Sequence, residues 1–399
     1  MPWRETGPME ERVRFVVAHE SNLYDMSELC ELHSISRKTG YKWLRRFEEG
    51  GFNGLADLSR APLSCPHRMP VDVAEALIGC RRAHPTWGPR KLVCYLDKHN
   101  SKVADRLPAI STAGDLLKGA GLVQPRRRRV RAVHPGSRPL VAHEPNDVWC
   151  IDFKGEFKTQ DGVLCYPLTV TDAASRYLLS CTALPSTNHA GAQDVLTKLF
   201  AHAGLPSAIR SDNGCPFCSN ALCGISRLSM WWMKLGIRHD RIRPASPQEN
   251  GRHERMHRTL KAETARPPAE DRRRQQERFD AFGDEYNHIR PHEALAMQTP
   301  DTIWTPSTRA MPQQLAEPEY PGHMQVRTVR NKGEIKFAGR LVFVSEVLAH
   351  QRVALEEVED GIWSLIFYNM LLARLDQRTM KLIPAKPKIP AEVLPMFPV

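Results

Sequence analysis

No run of about 18 apolar residues occurs in the 399-residue chain, so no transmembrane helix is expected. The opening Met1-Pro2-Trp3-Arg4-Glu5-Thr6 lacks the apolar core of a signal peptide. Without secretion the 10 cysteines read as reduced thiols. Cys215-Pro216-Phe217-Cys218 is a Cys-x-x-Cys, as half a zinc site or a redox pair would use. No second pair stands at zinc-ribbon spacing, and Cys223 and His239 are the only nearby extras. An apolar share of 41% with 25% charged residues excludes a disordered chain, and the length suits two to four domains.

Acidic excess is also missing. The net charge is +11, and it is uneven. Residues 1–142 hold 24 Lys and Arg against 15 Asp and Glu, whereas residues 143–309 hold 21 against 20 and residues 310–399 hold 11 against 10. The basic excess belongs to the N-terminal third, and a polyanion is its expected partner, nucleic acid before an anionic membrane. No amphipathic helix with a large apolar face is present to favour a membrane.

The helical patterns fall in that basic third. Residues 1–55 read as three helices, Arg12 to His19, Met26 to Leu32, and Arg37 to Glu49. Ser36 is placed to N-cap the last, and Gly50-Gly51 stops it. Gly40, Trp43, Leu44 and Phe47 should face inward. Lys38, Tyr41, Lys42 and Arg45 follow the i, i+3, i+4, i+7 rule on another face, with Arg37 at the helix start. A short helix, a tight turn and a longer helix with a basic stripe make a helix-turn-helix, and these residues are its candidate DNA contacts. A Pro-rich linker covers 56–70. Residues 71–123 repeat the theme with helices Val73 to Arg82, Gly88 to His99, and Thr112 to Gly119 after a Ser111 N-cap. Only Thr112 and Lys118 there suggest DNA contact. Residues 124–145 form a second linker, in which Arg126, Arg127, Arg128, Arg129 and Arg131 suit phosphates.

From residue 146 to 309 strands alternate with helices. Strands are expected at Val148 to Phe157, Val163 to Thr171 and Tyr177 to Ala183, then a helix from His189 to Ala203 and a strand at Ala208 to Arg210. A helix over Ser226 to Leu235, a strand at Ile237 to Arg241 and a long helix after Pro247 follow. Three strands followed by alternation predict an α/β core with a mixed sheet, in RNase H-like order. Residues 320–385 read as a small β-barrel of short strands.

Three carboxylates stand where that order would bring them together. Asp152 lies inside the first strand between apolar neighbours and needs a cation or charge partner. Asp212 ends the fourth strand in Ser211-Asp212-Asn213-Gly214. Glu254 lies on the helix after the fifth strand, with Glu249 as the rival third carboxylate. Such a trio suits Mg²⁺ with open water positions. Two ions about 3.5–4 Å apart would clamp an in-line phosphoryl displacement. Lys154, Arg252, Arg255, Arg258 and Lys261, with Asn213, Gln248 and Asn250 at loop tips, surround the trio as candidate DNA contacts. His253 and His257 flank Glu254 and either pack or touch phosphate.

Trp149-Cys150-Ile151-Asp152-Phe153-Lys154-Gly155, Ser211-Asp212-Asn213-Gly214, Ser246-Pro247-Gln248, Asn250-Gly251 and His253-Glu254-Arg255 make a recognisable set. His257-Arg258-Thr259-Leu260-Lys261, Tyr286-Asn287-His288-Ile289-Arg290-Pro291-His292-Glu293-Ala294-Leu295 and Thr299-Pro300 extend it. Upstream stand Ile35-Ser36-Arg37-Lys38-Thr39-Gly40-Tyr41-Lys42-Trp43-Leu44 and His84-Pro85-Thr86-Trp87-Gly88-Pro89-Arg90-Lys91-Leu92. Over roughly residues 10–375 the chain resembles the insertion-sequence transposases of the DDE, or retroviral-integrase, superfamily. The resemblance implies that Asp152, Asp212 and Glu254 are the catalytic, metal-holding triad. It implies two Mg²⁺, replaceable by Mn²⁺. It also implies binding to the terminal repeats of an element and to target DNA, cleavage and 3′-hydroxyl joining, and a homo-oligomer of at least two chains on double-stranded DNA. The setting implied is a bacterial cytoplasm, at the nucleoid and away from membranes. The interval from Asp212 to Glu254 is longer than the family's usual one. The His-His-Cys-Cys module of retroviral integrases is absent from residues 1–55, which favours a bacterial element. The alternative reading is a catalytically silent DNA-binding regulator derived from a transposase.

Overall fold

Amphipathic stretches at the N-terminus become α1 (Pro8–Glu20), α2 (Met26–Leu32) and α3 (Arg37–Gly54). Asp25 caps α2 in a reciprocal box with Glu28, and the Ser36 hydroxyl caps α3 by accepting from Thr39 N at 3.2 Å. The backbone leaves helical geometry at Gly51 (φ 59°, ψ −152°), where the sequence places the stop, and then runs one more turn. Phe15, Val16, Leu29, Cys30, Trp43, Leu44 and Leu55 form the core. Gly40 permits the close approach of α3, since a Cβ there would stand 2.9 Å from Cys30 Sγ and 3.0 Å from the Phe15 ring. The Arg12 and Arg46 guanidinium groups lie 4.0 and 4.7 Å from the Trp43 ring centre.

The structure, a computed structural model, describes residues 7–58, 69–123, 140–219, 221–243, 250–315 and 317–385. The chain divides into two units, residues 1–68 and 69–399.

The second unit opens with α4 (Val71–Ala83), α5 (Pro89–His99) and α6 (Ile110–Gly119), packed through Val73, Leu77, Trp87, Leu92, Leu96, Val103, Ala113 and Leu117. One expectation fails here. α6 begins one residue before Ser111, Ala109 is its N-cap, and no side chain caps it. Extended backbone at Ala109, directly after Pro108, sets the entry instead.

A six-stranded mixed sheet follows. Its strands are β1 (Val148–Phe153), β2 (Phe157–Lys158), β3 (Leu164–Asp172), β4 (Leu178–Leu184), β5 (Ala208–Ser211) and β6 (Arg238–Arg241). The order is β2-β3-β1-β5-β6, with β4 also on β3. The single first strand expected to Phe157 breaks at Lys154-Gly155-Glu156 into β1 and β2. β1 runs antiparallel to β3 and parallel to β5. Trp149 and Ile151 on one face join Leu168, Val170 and Ile209. Helices α7 (His189–Ala203) and α8 (Arg227–Lys234) cover that face. The opposite face is covered by α9 (Gly251–Thr264) and α10 (Arg272–Asp284), through Met256, Leu260, Phe279 and Phe282.

The C-terminal strands are β7 (Gln325–Thr328), β8 (Glu334–Phe337), β9 (Arg340–Phe343), β10 (Arg352–Glu359), β11 (Ile362–Phe367), β12 (Met370–Asp376) and β13 (Lys381–Pro384). They do not close into the expected barrel. Five form an open sheet, β13-β12-β11-β10-β7, and β8–β9 is a separate hairpin. The apolar face needs no closure, because Phe337 and Val342 of the hairpin and Ile225 from the α/β core already cover Val353, Leu355, Leu365 and Phe367. Cys223 Sγ also donates to Leu372 O at 3.0 Å, tying the sheet to the segment before α8.

The helical module α4–α6 is fastened to the core by a buried polar seam. Arg290, 6% exposed, donates from Nη1 to Glu263 Oε1 at 3.0 Å and to Thr86 Oγ1 at 3.3 Å. The Thr86 hydroxyl also donates to Glu263, and His84 Nδ1 meets Glu285 Oε1 at 2.9 Å. Asn287 holds both backbone groups of Leu178, accepting from its N at 2.8 Å and donating to its O at 3.0 Å. Removing one partner of a buried pair strands the other charge. Arg290→Met should therefore destabilise the unit of residues 69–399 by about 3 kcal/mol, read as a lower denaturant midpoint, and Arg278→Met on the exposed surface should not.

Candidate active site

The strand register builds the site. Asp152 sits directly opposite Thr169 on β3, and Cys150 opposite both Thr171 on β3 and Arg210 on β5. Asp212 directly follows β5, near enough to Asp152 for its charge to act on that carboxyl. Alternation along β1 then puts Asp152 on the α9 face, away from Trp149 and Ile151.

Burial pushes the Asp152 carboxyl up to about 7, and the negative charge of Asp212 adds to it, with Glu254 contributing less. The Phe153 backbone N–H and the Lys154 ammonium oppose the rise. Asp212 accepts from Gly214 N at 3.1 Å, and Asn213 Nδ2 donates to Ile242 O at 2.7 Å, which together fix the turn after β5. Glu254 is exposed on α9 and lines a groove with Lys154, Arg258, Lys261 and Arg266. Lys154, Arg258 and Lys261 are thus gathered on the Glu254 edge of the helix.

Arg252 and Arg255 occupy the other edge. Arg252 Nη1 donates to Ala173 O at 3.2 Å, and both charges act on the half-buried Arg176. Asn250 is buried at the N-cap of α9 rather than exposed at a loop tip, and its Oδ1 has no hydrogen-bond partner among the described residues. Gln248 and Glu249, with Arg126, Arg127, Arg128, Arg129 and Arg131, lie outside the described residues. Arg37, Lys38, Tyr41, Lys42 and Arg45 are all exposed on α3, and Thr112 and Lys118 are exposed on α6.

The sequence reading left His253 and His257 undecided; both are buried, 2% and 4% exposed. His253 Nε2 and His257 Nε2 meet the Thr169 hydroxyl at 2.7 and 2.6 Å, and His253 Nδ1 meets the Thr171 hydroxyl at 2.7 Å. Burial depresses both imidazoles, His253 to about 3 and His257 to about 2, so both are neutral. Among the described residues, the metal-ligating atoms gathered within 4.8 Å of one another belong to Asp152, His253 and His257, with Asp212 and Glu254 outside that group. The only advance sign of this cluster was the i, i+4 spacing of the two histidines on a helix face.

The Cys-x-x-Cys and its neighbours point to separate partners. Arg241 Nη1 donates to Cys218 Sγ at 3.2 Å, Cys215 is exposed, Cys223 serves the C-terminal sheet, and His239 Nε2 meets the Ser211 hydroxyl at 2.8 Å. Among the described residues no helix is long and apolar enough to cross a membrane.

Comparison with known proteins finds matches in both the helical segments and the core. Residues 142–247 and 235–300 match two models of the integrase core domain. Residues 11–62 match a helix-turn-helix domain and residues 39–112 a homeodomain-like domain. The Gag-Pol polyprotein of baboon endogenous virus (strain M7) is 29% identical over 193 residues, 48% of this chain and 10% of that polyprotein. The insertion element IS476 uncharacterized 39.2 kDa protein of Xanthomonas euvesicatoria is 27% identical over 215 residues, 51% of this chain and 57% of that protein. The chain thus matches little more than half the length of the second relative and a tenth of the first. Among solved structures, the HTLV-2 integrase catalytic core domain in complex with magnesium (trimeric form) is 15% identical with a TM-score of 0.33, covering 41% of this chain and 100% of that one. By its sequence matches the chain carries an integrase core over residues 142–300 with helix-turn-helix domains ahead of it, and it is similar in part to retroviral polyproteins and to an insertion-element protein.

Proposed function

We propose that the protein is a DNA transposase. The N-terminal helix-turn-helix unit binds the terminal inverted repeats of an insertion sequence. The core hydrolyses the phosphodiester at the element ends and joins the freed 3′-hydroxyl to target DNA. The observation that carries this reading is the half-buried Asp152 carboxyl on the central strand of the sheet, raised to about 7 by desolvation and by the charges of Asp212 and Glu254. Carboxylates that oppose one another's ionisation in this way are relieved by a shared cation.

The donor set fits a hard divalent ion, since carboxylate oxygens leave positions open for water and phosphate. Asp152, Asp212 and Glu254 would hold Mg²⁺, two ions per site, with Mn²⁺ able to substitute. When bound, the ions supply Lewis-acid polarisation of the phosphate and activation of the attacking water or hydroxyl. The remaining work falls to the chain. Lys154, Arg258 and Lys261 bind backbone phosphates along the groove beside Glu254 and hold the scissile bond in line. On α3, Lys38, Tyr41, Lys42 and Arg45 face the major groove, with Arg37 at the helix start. One triad processes one end at a time, and an element has two ends, so the active species is at least a dimer on DNA, at work in a bacterial cytoplasm.

With an oligonucleotide carrying the element's end, Asp152→Asn, Asp212→Asn and Glu254→Gln should each bring cleavage and joining below detection while end binding by gel shift stays near wild type. Cleavage by any of the three at the wild-type rate would contradict the triad; unchanged Glu254→Gln with dead Glu249→Gln would move its third member.

End binding should weaken steeply with salt. Lys38→Ala should reduce the slope of log K against log salt by about 0.9, one phosphate contact. Tyr41→Ala should relax sequence preference more than it changes the slope. A slope untouched by Lys38→Ala would remove α3 from the DNA.

A further inference from the structure

The two buried histidines of α9 differ in one respect that the triad reading does not use. The Thr169 hydroxyl has a single proton, and it donates this to Asp152 O at 3.0 Å, a carbonyl that can only accept. Both imidazoles that reach the same hydroxyl, His253 Nε2 at 2.7 Å and His257 Nε2 at 2.6 Å, must then be the donors. In the neutral ring the proton then sits on Nε2 and Nδ1 keeps its lone pair. For His253 the lone pair is satisfied by the Thr171 hydroxyl at 2.7 Å. For His257 it is not. Its Nδ1 has no hydrogen-bond partner among the described residues and faces Asp152 Oδ2 at 3.7 Å. His257 Nδ1, on a side chain only 5% exposed, and Asp152 Oδ2 thus set two electron-pair donors 3.7 Å apart.

We infer that His257 Nδ1 is a nitrogen ligand to the divalent cation at Asp152. Metal–nitrogen and metal–oxygen bonds are each about 2.0–2.2 Å, so a cation seated between the two atoms bridges them with little adjustment. His253 is excluded from that role because both of its nitrogens are already engaged. It serves as the positioning residue. With Thr171 on one side and Thr169 on the other, it completes the chain that fixes the His257 tautomer, as a hydrogen-bonded outer shell does for metal-bound imidazoles. The Thr169 hydroxyl ties the same chain to the Asp152 backbone, so ligand nitrogen and ligand carboxylate are set by one residue. A mixed nitrogen and oxygen set favours Mn²⁺ over Mg²⁺ more than carboxylates alone would, since imidazole suits transition metals and oxygen donors suit Mg²⁺.

The inference rests on the proposed function, in which Asp152 holds a divalent ion, and the test separates the two. The full chain is titrated with Mn²⁺ alone, and the bound ion is read by electron spin echo envelope modulation. A directly coupled nitrogen is expected, and its modulation should change when the protein carries ¹⁵N-histidine, a readout on the wild-type chain that depends on no variant. His257→Gln retains an N–H for Thr169 but has no Nδ1. It should abolish the coupling and weaken Mn²⁺ binding by at least about 10-fold, with an unchanged circular dichroism spectrum. His253→Gln should keep the coupling. If Mn²⁺ binds and Asp152→Asn removes it, yet no histidine nitrogen couples, the inference is overturned and the functional reading stands. If coupling survives His257→Gln and disappears in His253→Gln, the wrong imidazole has been assigned. If Asp152→Asn leaves Mn²⁺ binding unchanged, the functional reading fails and the inference fails with it.

Discussion

The constraint on which the rest depends is the register of β1 between β3 and β5. Antiparallel pairing sets Asp152 against Thr169, and parallel pairing of Cys150 with Arg210 brings the end of β5, with Asp212 next after it, beside β1. A slip by one residue would turn Asp152 into the apolar layer under α7 and α8 and expose Ile151 to α9. Trp149, Ile151, Leu168 and Val170 resist that slip, because their burial on one face is what places the carboxylate on the other. Asp152 then pays for its position in proton affinity, and the helix that covers it contributes two neutral imidazoles and, at its outer edge, a row of cations.

Tertiary fastening explains segments whose chemistry is not catalytic. Asn287, Arg290 and His292 follow the core pattern in sequence, and each closes a joint. Asn287 binds the start of β4. Arg290 links Glu263 on α9 to Thr86 between α4 and α5. His292 Nε2 meets Tyr286 O at 3.1 Å. Because Glu263 and Glu254 share α9, the joint that secures the helical module also anchors the helix bearing the candidate third carboxylate. Ile225 and Cys223 dock the C-terminal sheet just before α8, so that this sheet and the α/β core share an apolar boundary.

Period and punctuation made the local structure readable. α2 and α7 begin and end where the sequence places them, because Asp25, Asn188 and Gly204 stand at their caps, and α3 breaks at Gly51 as its glycine pair suggests. The inward residues Gly40, Trp43 and Leu44 followed from helical spacing and are buried. What was not readable depended on partners distant in the chain. Closure of the C-terminal strands could not be judged without knowing that β8–β9 and Ile225 cover their apolar face. β13 carries too few apolar residues in Lys381–Pro384 to announce itself. The polar chain of Thr169, Thr171, His253 and His257 is spread over more than 80 positions, and histidines of that kind look the same in sequence whether they pack, touch phosphate or face a carboxylate. Asn250 misled for the same reason, since Asn before Gly reads as a loop tip until the helix start buries it.

The central claim is that Asp152, Asp212 and Glu254 converge on divalent cations. Anomalous scattering from crystals of the full chain grown with Mn²⁺ tests it most directly. The account predicts a peak bonded to both Asp152 and Asp212, with Glu254 turned inward to reach the same metal centre. Peaks confined to other carboxylates, or an Asp152 without metal when Mn²⁺ is bound elsewhere, would contradict it.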